Sequence, residues 1–196
     1  IFVLNGNVTL WGLMNCHRDN KVNSLVPIGK SYPLELENGD INKVKDTLQD
    51  LVNKLYIKDG AMNVELIVDK NDDVWLIDVG PRNGGNMIPD LLGYIFNINV
   101  VEMSIKVAMG DAPDISKYKP VPFYATHNLH FDKIIFSEEA EHFIIKKCIY
   151  KKKGDKVEYF DNASKALGII FFKFDSAGSM NRILQNIDNH IRILLK

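Results

Sequence analysis

Apolar residues in this chain recur sometimes at every second position and sometimes at helical spacing, and the changes of period outline its elements. Ile1–Leu4 and Val8–Leu13 are short apolar runs separated by Asn5-Gly6-Asn7, a pattern that predicts a tight hairpin. Residues 15–40 are polar and interrupted by Pro27, Gly29, Pro33 and Gly39, so they read as an extended loop. Ile41, Val44, Leu48, Leu51, Val52 and Leu55 then share one helical face. Asp40 is placed to cap a helix from about Ile41 to Ile57, with Gly60 as its stop. Two further apolar runs, Ala61–Val68 and Val74–Val79, are joined by Asp69-Lys70-Asn71-Asp72-Asp73 and predict a second hairpin. Apolar side chains occupy both faces of its strands, which predicts burial over most of its surface.

A glycine-rich segment, Gly80 to Asn86, leads to a short helix near Ile88–Ile95, and a second helix from Val100 to Met109 stops at Gly110. Beyond Pro113 the spacing predicts strands at Val121–Phe131, His142–Tyr150, Val157–Phe160 and Leu167–Phe174, with turns at Gly154-Asp155 and Asn162. Met180, Ile183, Leu184, Ile187, Ile191 and Leu194 predict one closing amphipathic helix. The expected class is α+β in two lobes, residues 1–111 and 112–196, with the boundary at about 112–120. No internal repeat is present.

Composition adds little to this outline but removes some alternatives. The 196 residues are 46% hydrophobic and 25% charged, an ordinary globular balance. A net charge of −1 gives no reason to expect nucleic acid or an anionic membrane as partner. Cys16 and Cys148 lie far apart and form no C-x-x-C pair, which points to free thiols and a cytoplasmic setting. The longest apolar run, Ala166–Phe172, is too short to span a bilayer, and no signal-peptide pattern opens the chain. Ile1 stands inside a strand-like run, as expected of a fragment of a longer protein.

Candidate chemistry gathers at the second hairpin. A turn centred between Asn71 and Asp72 sets Glu65 opposite Asp78, with Cβ atoms roughly 4.5–5.5 Å apart. Two carboxylates that close in an apolar hairpin need a shared proton, a cationic side chain or a metal, and Mg²⁺ favours such oxygen donors. The alternatives are that the carboxylates face solvent, that Arg82 neutralises Asp78, or that a one-residue slip puts them on opposite faces. In Gly80-Pro81-Arg82-Asn83-Gly84-Gly85-Asn86, the glycines let backbone N–H groups approach an anion. Arg82 offers a planar donor fork, and Asn83 and Asn86 are placed to orient a ligand; the alternative is a plain strand-to-helix turn. Neither G-x-x-x-x-G-K-[ST] nor G-x-G-x-x-G after a strand occurs.

The order of these features, NVELIVDKNDDVWLIDVGPRNGGN over Asn63–Asn86, resembles the ATP-grasp superfamily. A looser similarity covers the whole chain, whose closing strands and helix look like the C-terminal lobe of the carboxylate–amine ligase, biotin carboxylase and carbamoyl phosphate synthase branches. The resemblance implies a mainly antiparallel ATP-grasp lobe with packed helices, followed by an appended β-rich lobe. It implies ATP and Mg²⁺ (or Mn²⁺) as cofactors, with Glu65 on one metal ion and Asp78 bridging two. Arg82, with Asn83 beside it in the nucleotide-binding set, would contact the transferred phosphate or acyl phosphate as the catalytic residue. Arg82, Gly84, Gly85 and Asn86 would line the acceptor carboxylate. The implied reaction activates a carboxylate for attack by an amine or other nucleophile, and phosphoryl transfer of this kind is largely positioning and charge stabilisation. One departure is that the family usually has a metal-ligating Asn two residues after the second acid, where this chain has Gly80. The phosphate-binding lysines, glycine-rich flap and adenine-contacting hinge of the N-terminal and central lobes are also not recognisable. The implied partners are therefore small-molecule carboxylate and amine substrates and the N-terminal lobes of the same protein, the isolated chain is expected to be inactive, and a homodimer is compatible. A non-catalytic nucleotide- or ligand-binding module is the alternative, with Gly80 as its best argument; an unrelated structural domain is a third reading.

Elsewhere the bland readings prevail. His127 and His130 lie three apart in an expected strand and so face opposite sides, which suits core or edge histidines better than a metal site. His17, between Cys16 and Arg18, shows no catalytic dyad. Lys146, Lys147, Lys151, Lys152 and Lys153 read as a solvated strand edge, and Phe171, Phe172 and Phe174 as core.

Overall fold

The computed structural model describes residues 1–19, 23–36, 39–115, 118–129, 134–152, 155–156 and 158–193. His130, Phe131, Lys153, Gly154, Val157 and Leu194, which figured in the expectations above, lie outside the described residues. The strands are β1 (Phe2–Leu4), β2 (Asn7–Leu10), β3 (Asn15–Asp19), β4 (Asn23–Tyr32), β5 (Gly60–Ala61), β6 (Asn63–Val68), β7 (Val74–Gly80), β8 (Tyr124–Leu129), β9 (Ile134–Phe136), β10 (Ile144–Ile149), β11 (Gly168–Lys173) and β12 (Ile191–Ile193). The helices are α1 (Ile41–Lys54), α2 (Ile88–Phe96), α3 (Val100–Ala108), α4 (Glu138–Phe143), α5 (Ala177–Gln185) and α6 (Ile187–His190). Every described strand pair is antiparallel, so helices and antiparallel sheets together make a mixed α/β fold. No single described helix is long and apolar enough to cross a membrane.

The chain divides into two compact units, Ile1–Leu13 with Leu34–Pro120, and Met14–Pro33 with Val121–Lys196. In the first, Asn5 (φ 50) and Gly6 (φ 76) take the left-handed conformation that a two-residue hairpin turn requires, and β1 pairs with both β2 and β5. Asp40 caps α1 by accepting from the Asn42 N–H at 2.8 Å. The helix buries Val44, Leu48 and Val52 but ends at Lys54, because Tyr56 turns left-handed at φ 54. Gly60 thus opens β5 instead of stopping the helix. Val3, Val8, Val52 and Met62 form one core cluster of this unit, with Val64 and Val79 packed against it.

In the second unit the sheet order is β10-β11-β8-β4-β3. Residues 15–33, expected as loop within the first lobe, instead supply β3 and β4, and β4 pairs with β8. The breakers that suggested a loop have places in this sheet. Pro27 sits at a shift in the β3–β4 register, and a Cβ at Gly29 would lie 2.3 Å from the Thr126 carbonyl. The core gathers Ala125, Leu129, Ile170 and Phe172 from strands, Phe174 from just past β11, and Met180 and Ile183 from α5. The Phe172 and Phe174 rings stack at 5.6 Å.

Three further expectations change here. His142 lies on α4, not on a strand, because Ser137 caps that helix by accepting from the Ala140 N–H at 3.1 Å. Residues 158–160 form no strand, although Phe160 is buried with Val26, Ile28 and Ala166. The closing helix breaks at Asn186, and Ile191–Ile193, with two β-branched residues, pair as β12 with β9.

Candidate functional site

The hairpin of β6 and β7 is held open at its tip by one side chain. Asp69 accepts from the Asn71 N–H at 2.8 Å, the Asp73 N–H at 3.0 Å and the Trp75 indole at 3.0 Å. These bonds, the indole first, hold the Asp69 carboxyl below the usual carboxylate range. Val68 faces Val74, so the loop is centred on Asn71, half a residue short of the position inferred from sequence. Continued unbroken, that register would set Glu65 opposite Ile77. A β-bulge between Glu65 and Leu66 takes up Ile77 instead and returns Glu65 to Asp78. The expected pairing is present, reached by a different route.

Directly opposed residues of an antiparallel pair share a face, so Glu65 and Asp78 lie side by side with Ile67 and Trp75 further along. That face is not buried as the apolar pattern suggested: Ile67, Trp75 and Ile77 are 55%, 59% and 57% exposed. Among the described residues β6 and β7 pair only with each other, and only the side carrying Val64 and Val79 is backed by a core. Asp78 is exposed and Glu65 half-buried, so desolvation alone does not force a compensating partner on the pair. Arg82 makes no ion pair with Asp78. Its Nη1 donates to the Asn83 carbonyl at 2.9 Å, and its side chain lies back toward Gly80, where a Cβ would be 3.4 Å from Nε.

The glycine-rich loop is fixed from both sides. Asn83 donates through Nδ2 to Ser104 Oγ at 3.0 Å, and Ser104 donates to the Val100 carbonyl at 3.0 Å, which ties the loop to α3. Ser104 had no signal in the sequence beyond its place on a helix. Gly84 is needed for close approach, since a Cβ there would lie 2.9 Å from both Asn63 Oδ1 and Ile88 Cβ. Gly85 is open to solvent, and Asn86 (φ 50) and Met87 (φ 56) turn the chain into α2. The structure thus brings Glu65, Asp78, Arg82 and the loop to one end of the hairpin, while the Asn83 amide nitrogen is committed to α3.

Among the described residues no group of three or more His, Cys, Asp or Glu side chains could hold a metal ion. Two opposed carboxylates nevertheless fit Mg²⁺, which commonly takes one or two from the protein and completes its shell with water and phosphate. Of the other candidates, His17 bonds through Nε2 to Ser31 Oγ at 2.8 Å, and burial followed by nearby Lys30 lowers its pKa. Ser31 is only 2% exposed, so this pair presents no nucleophile to a substrate. His127 is buried in β8. Lys147 pairs with Glu141 and lies over the Phe136 ring at 4.4 Å, while Lys146 lies over Phe171 at 5.4 Å.

No protein-family model matches the sequence, and comparison with curated proteins finds no match. Solved structures do match. Phosphoribosylglycinamide synthetase from Anaerococcus prevotii superposes with a TM-score of 0.80 at 22% identity, covering 100% of this chain and 52% of that one. L-amino acid ligase from Bacillus licheniformis gives 0.77 at 19% identity, with 100% and 52% covered. N5-carboxyaminoimidazole synthetase from Staphylococcus aureus, solved with ADP, gives 0.65 at 14%, with 96% and 47% covered. The chain has the fold of these ATP-grasp ligases over the portion it spans, as the resemblance of Asn63–Asn86 implied. It spans about half the length of each of these three structures.

Proposed function

We propose that this chain is the metal- and phosphate-handling part of an ATP-dependent ligase that joins a small-molecule carboxylate to an amine or other nucleophile. The observation that carries the reading is the direct opposition of Glu65 and Asp78 on one hairpin face, beside a loop bearing Arg82 and two glycines. The fold, shared with synthetases and ligases of which one was solved with ADP, supports a nucleotide as ligand of the full-length protein. Glu65 and Asp78 hold Mg²⁺ or Mn²⁺, which when bound offsets the charge of the ATP phosphates. Arg82, turned from the Asn83 carbonyl, donates its fork to the phosphoryl group or to an acyl phosphate. Asn83 keeps the loop on α3, and Gly84, Gly85 and Asn86 border the carboxylate. In this reading the unit of Ile1–Leu13 and Leu34–Pro120 completes an ATP-grasp lobe, the unit of Met14–Pro33 and Val121–Lys196 forms an appended β-rich lobe, and the full-length protein is cytoplasmic and carries the remaining lobes.

The test is Mg²⁺-dependent ATP turnover by the full-length protein in the presence of mixed carboxylates and amines. Glu65→Gln and Asp78→Asn each lower turnover by about 100-fold or more, the scale of losing charge stabilisation at a transferring group. Equal turnover by the wild type and both variants overturns the assignment. Nucleotide binding with no turnover in the wild type favours a binding module instead.

A further inference from the structure

The carboxylate face contains a third oxygen donor that the motif did not single out. Asn63 is the register partner of Gly80, and it precedes Glu65 by two residues as Gly80 follows Asp78 by two. Side chains two apart on a strand share a face, as do opposed residues. Asn63 therefore stands on the face of Glu65 and Asp78, at the diagonal separation of about 7–8 Å from Asp78, so that two short side chains turned toward each other can share one ligand between them. Opposite it Gly80 contributes no side chain, and the nearest one there is Arg82, whose Nε lies 3.4 Å from where a Gly80 Cβ would be. The Asn63 carboxamide is half-buried against the glycine-rich loop, with Oδ1 placed 2.9 Å from where a Gly84 Cβ would be, so Gly84 leaves room for it. No hydrogen-bond partner of that carboxamide is found among the described residues.

We propose that Asn63 supplies an oxygen donor to the cation held by Glu65 and Asp78, standing in from the facing strand for the side chain that Gly80 lacks. The proposal rests on the reading of Glu65 and Asp78 as metal ligands. An amide oxygen suits a hard cation, adds no charge, and leaves the two carboxylates to set the site's net charge. Gly80 then marks a transposed ligand and not a lost one. A Cβ at residue 80 meets nothing nearer than the Arg82 side chain at 3.4 Å, so the reverse exchange asks only that flexible side chain to move.

Electron paramagnetic resonance titration of the full-length protein with Mn²⁺, in the presence of a non-hydrolysable ATP analogue, tests this without relying on activity. Asn63→Ala weakens Mn²⁺ binding about tenfold, Asn63→Asp binds at least as well as wild type, and the double variant Asn63→Ala/Gly80→Asn regains most of the loss. Recovery by an amide placed across the ladder separates a ligand from a prop of the glycine loop. Wild-type binding by Asn63→Ala with loss in Glu65→Gln overturns the role of Asn63 and keeps the carboxylate site. Loss in Asn63→Ala without recovery in the double variant overturns it as well, assigning the amide to the loop. Undiminished binding by Glu65→Gln overturns the carboxylate reading itself and this proposal with it. Should Asn63→Ala fail to fold, as seen by circular dichroism, Asn63→Asp decides: binding weaker than wild type overturns the proposal.

Discussion

Strands β11 and β7 are similarly apolar, and the structure treats them oppositely. In β11 Ile169, Ile170, Phe171 and Phe172 are all at most 1% exposed, sandwiched in a five-stranded sheet with α5 contributing to one side. In β7 Trp75 and Ile77 are more than half exposed, because its hairpin has one partner strand and one backed face. Apolar sequence therefore does not by itself determine burial; the layers packed against a strand do. Under the proposed function, these uncovered apolar side chains beside the two carboxylates border the ligand.

Mutations that trade on this contrast sharpen it. Phe172→Ala should destabilise the protein by about 3–5 kcal/mol in chemical denaturation, the usual cost of a large core cavity. Gly84→Ala should follow at about 1–3 kcal/mol by the same measurement, because its new Cβ has no room against Asn63 and Ile88. Trp75→Ala should cost about 1 kcal/mol, since more than half of the residue is exposed and its indole bond to Asp69 lies at the surface; a cost like that of Phe172→Ala would show that the hairpin face is a core after all. The smallest effect is one of pH. His17 is lowered in the folded state, so its contribution is complete above the unfolded value of about 6.5 and is lost as pH falls below it. Replacing His17 by Asn should flatten the fall of melting temperature on acidification; an unchanged slope would assign that fall to other groups.

Much of this was legible in the sequence. Asn5-Gly6, the face of α1 and the strands flanking Asp69–Asp73 are local signals that the structure keeps. The β3–β4 hairpin was not legible, since Pro27 and Gly29 argue against a strand until Thr126, far along the chain, presses on Gly29. The break at Asn186 likewise depends on β9 being available to pair with Ile191–Ile193. The Glu65–Asp78 pair was legible, but its bulge was not, because a half-residue shift of the turn and one extra strand residue cancel at the carboxylates. Asn63 escaped notice because its place is defined by what stands opposite it and not by its neighbours in sequence.

The extra residue at Ile77 has a consequence for how this hairpin tolerates change. The turn sets one half of the ladder and the carboxylates belong to the other, with a sliding joint between them. Such a hairpin behaves as a vernier: the tip can gain or lose a residue while the acidic end stays in step, provided the joint takes up the difference. Insertions at Asn71 should therefore be borne more easily than insertions between Asp78 and Arg82, where no slack remains.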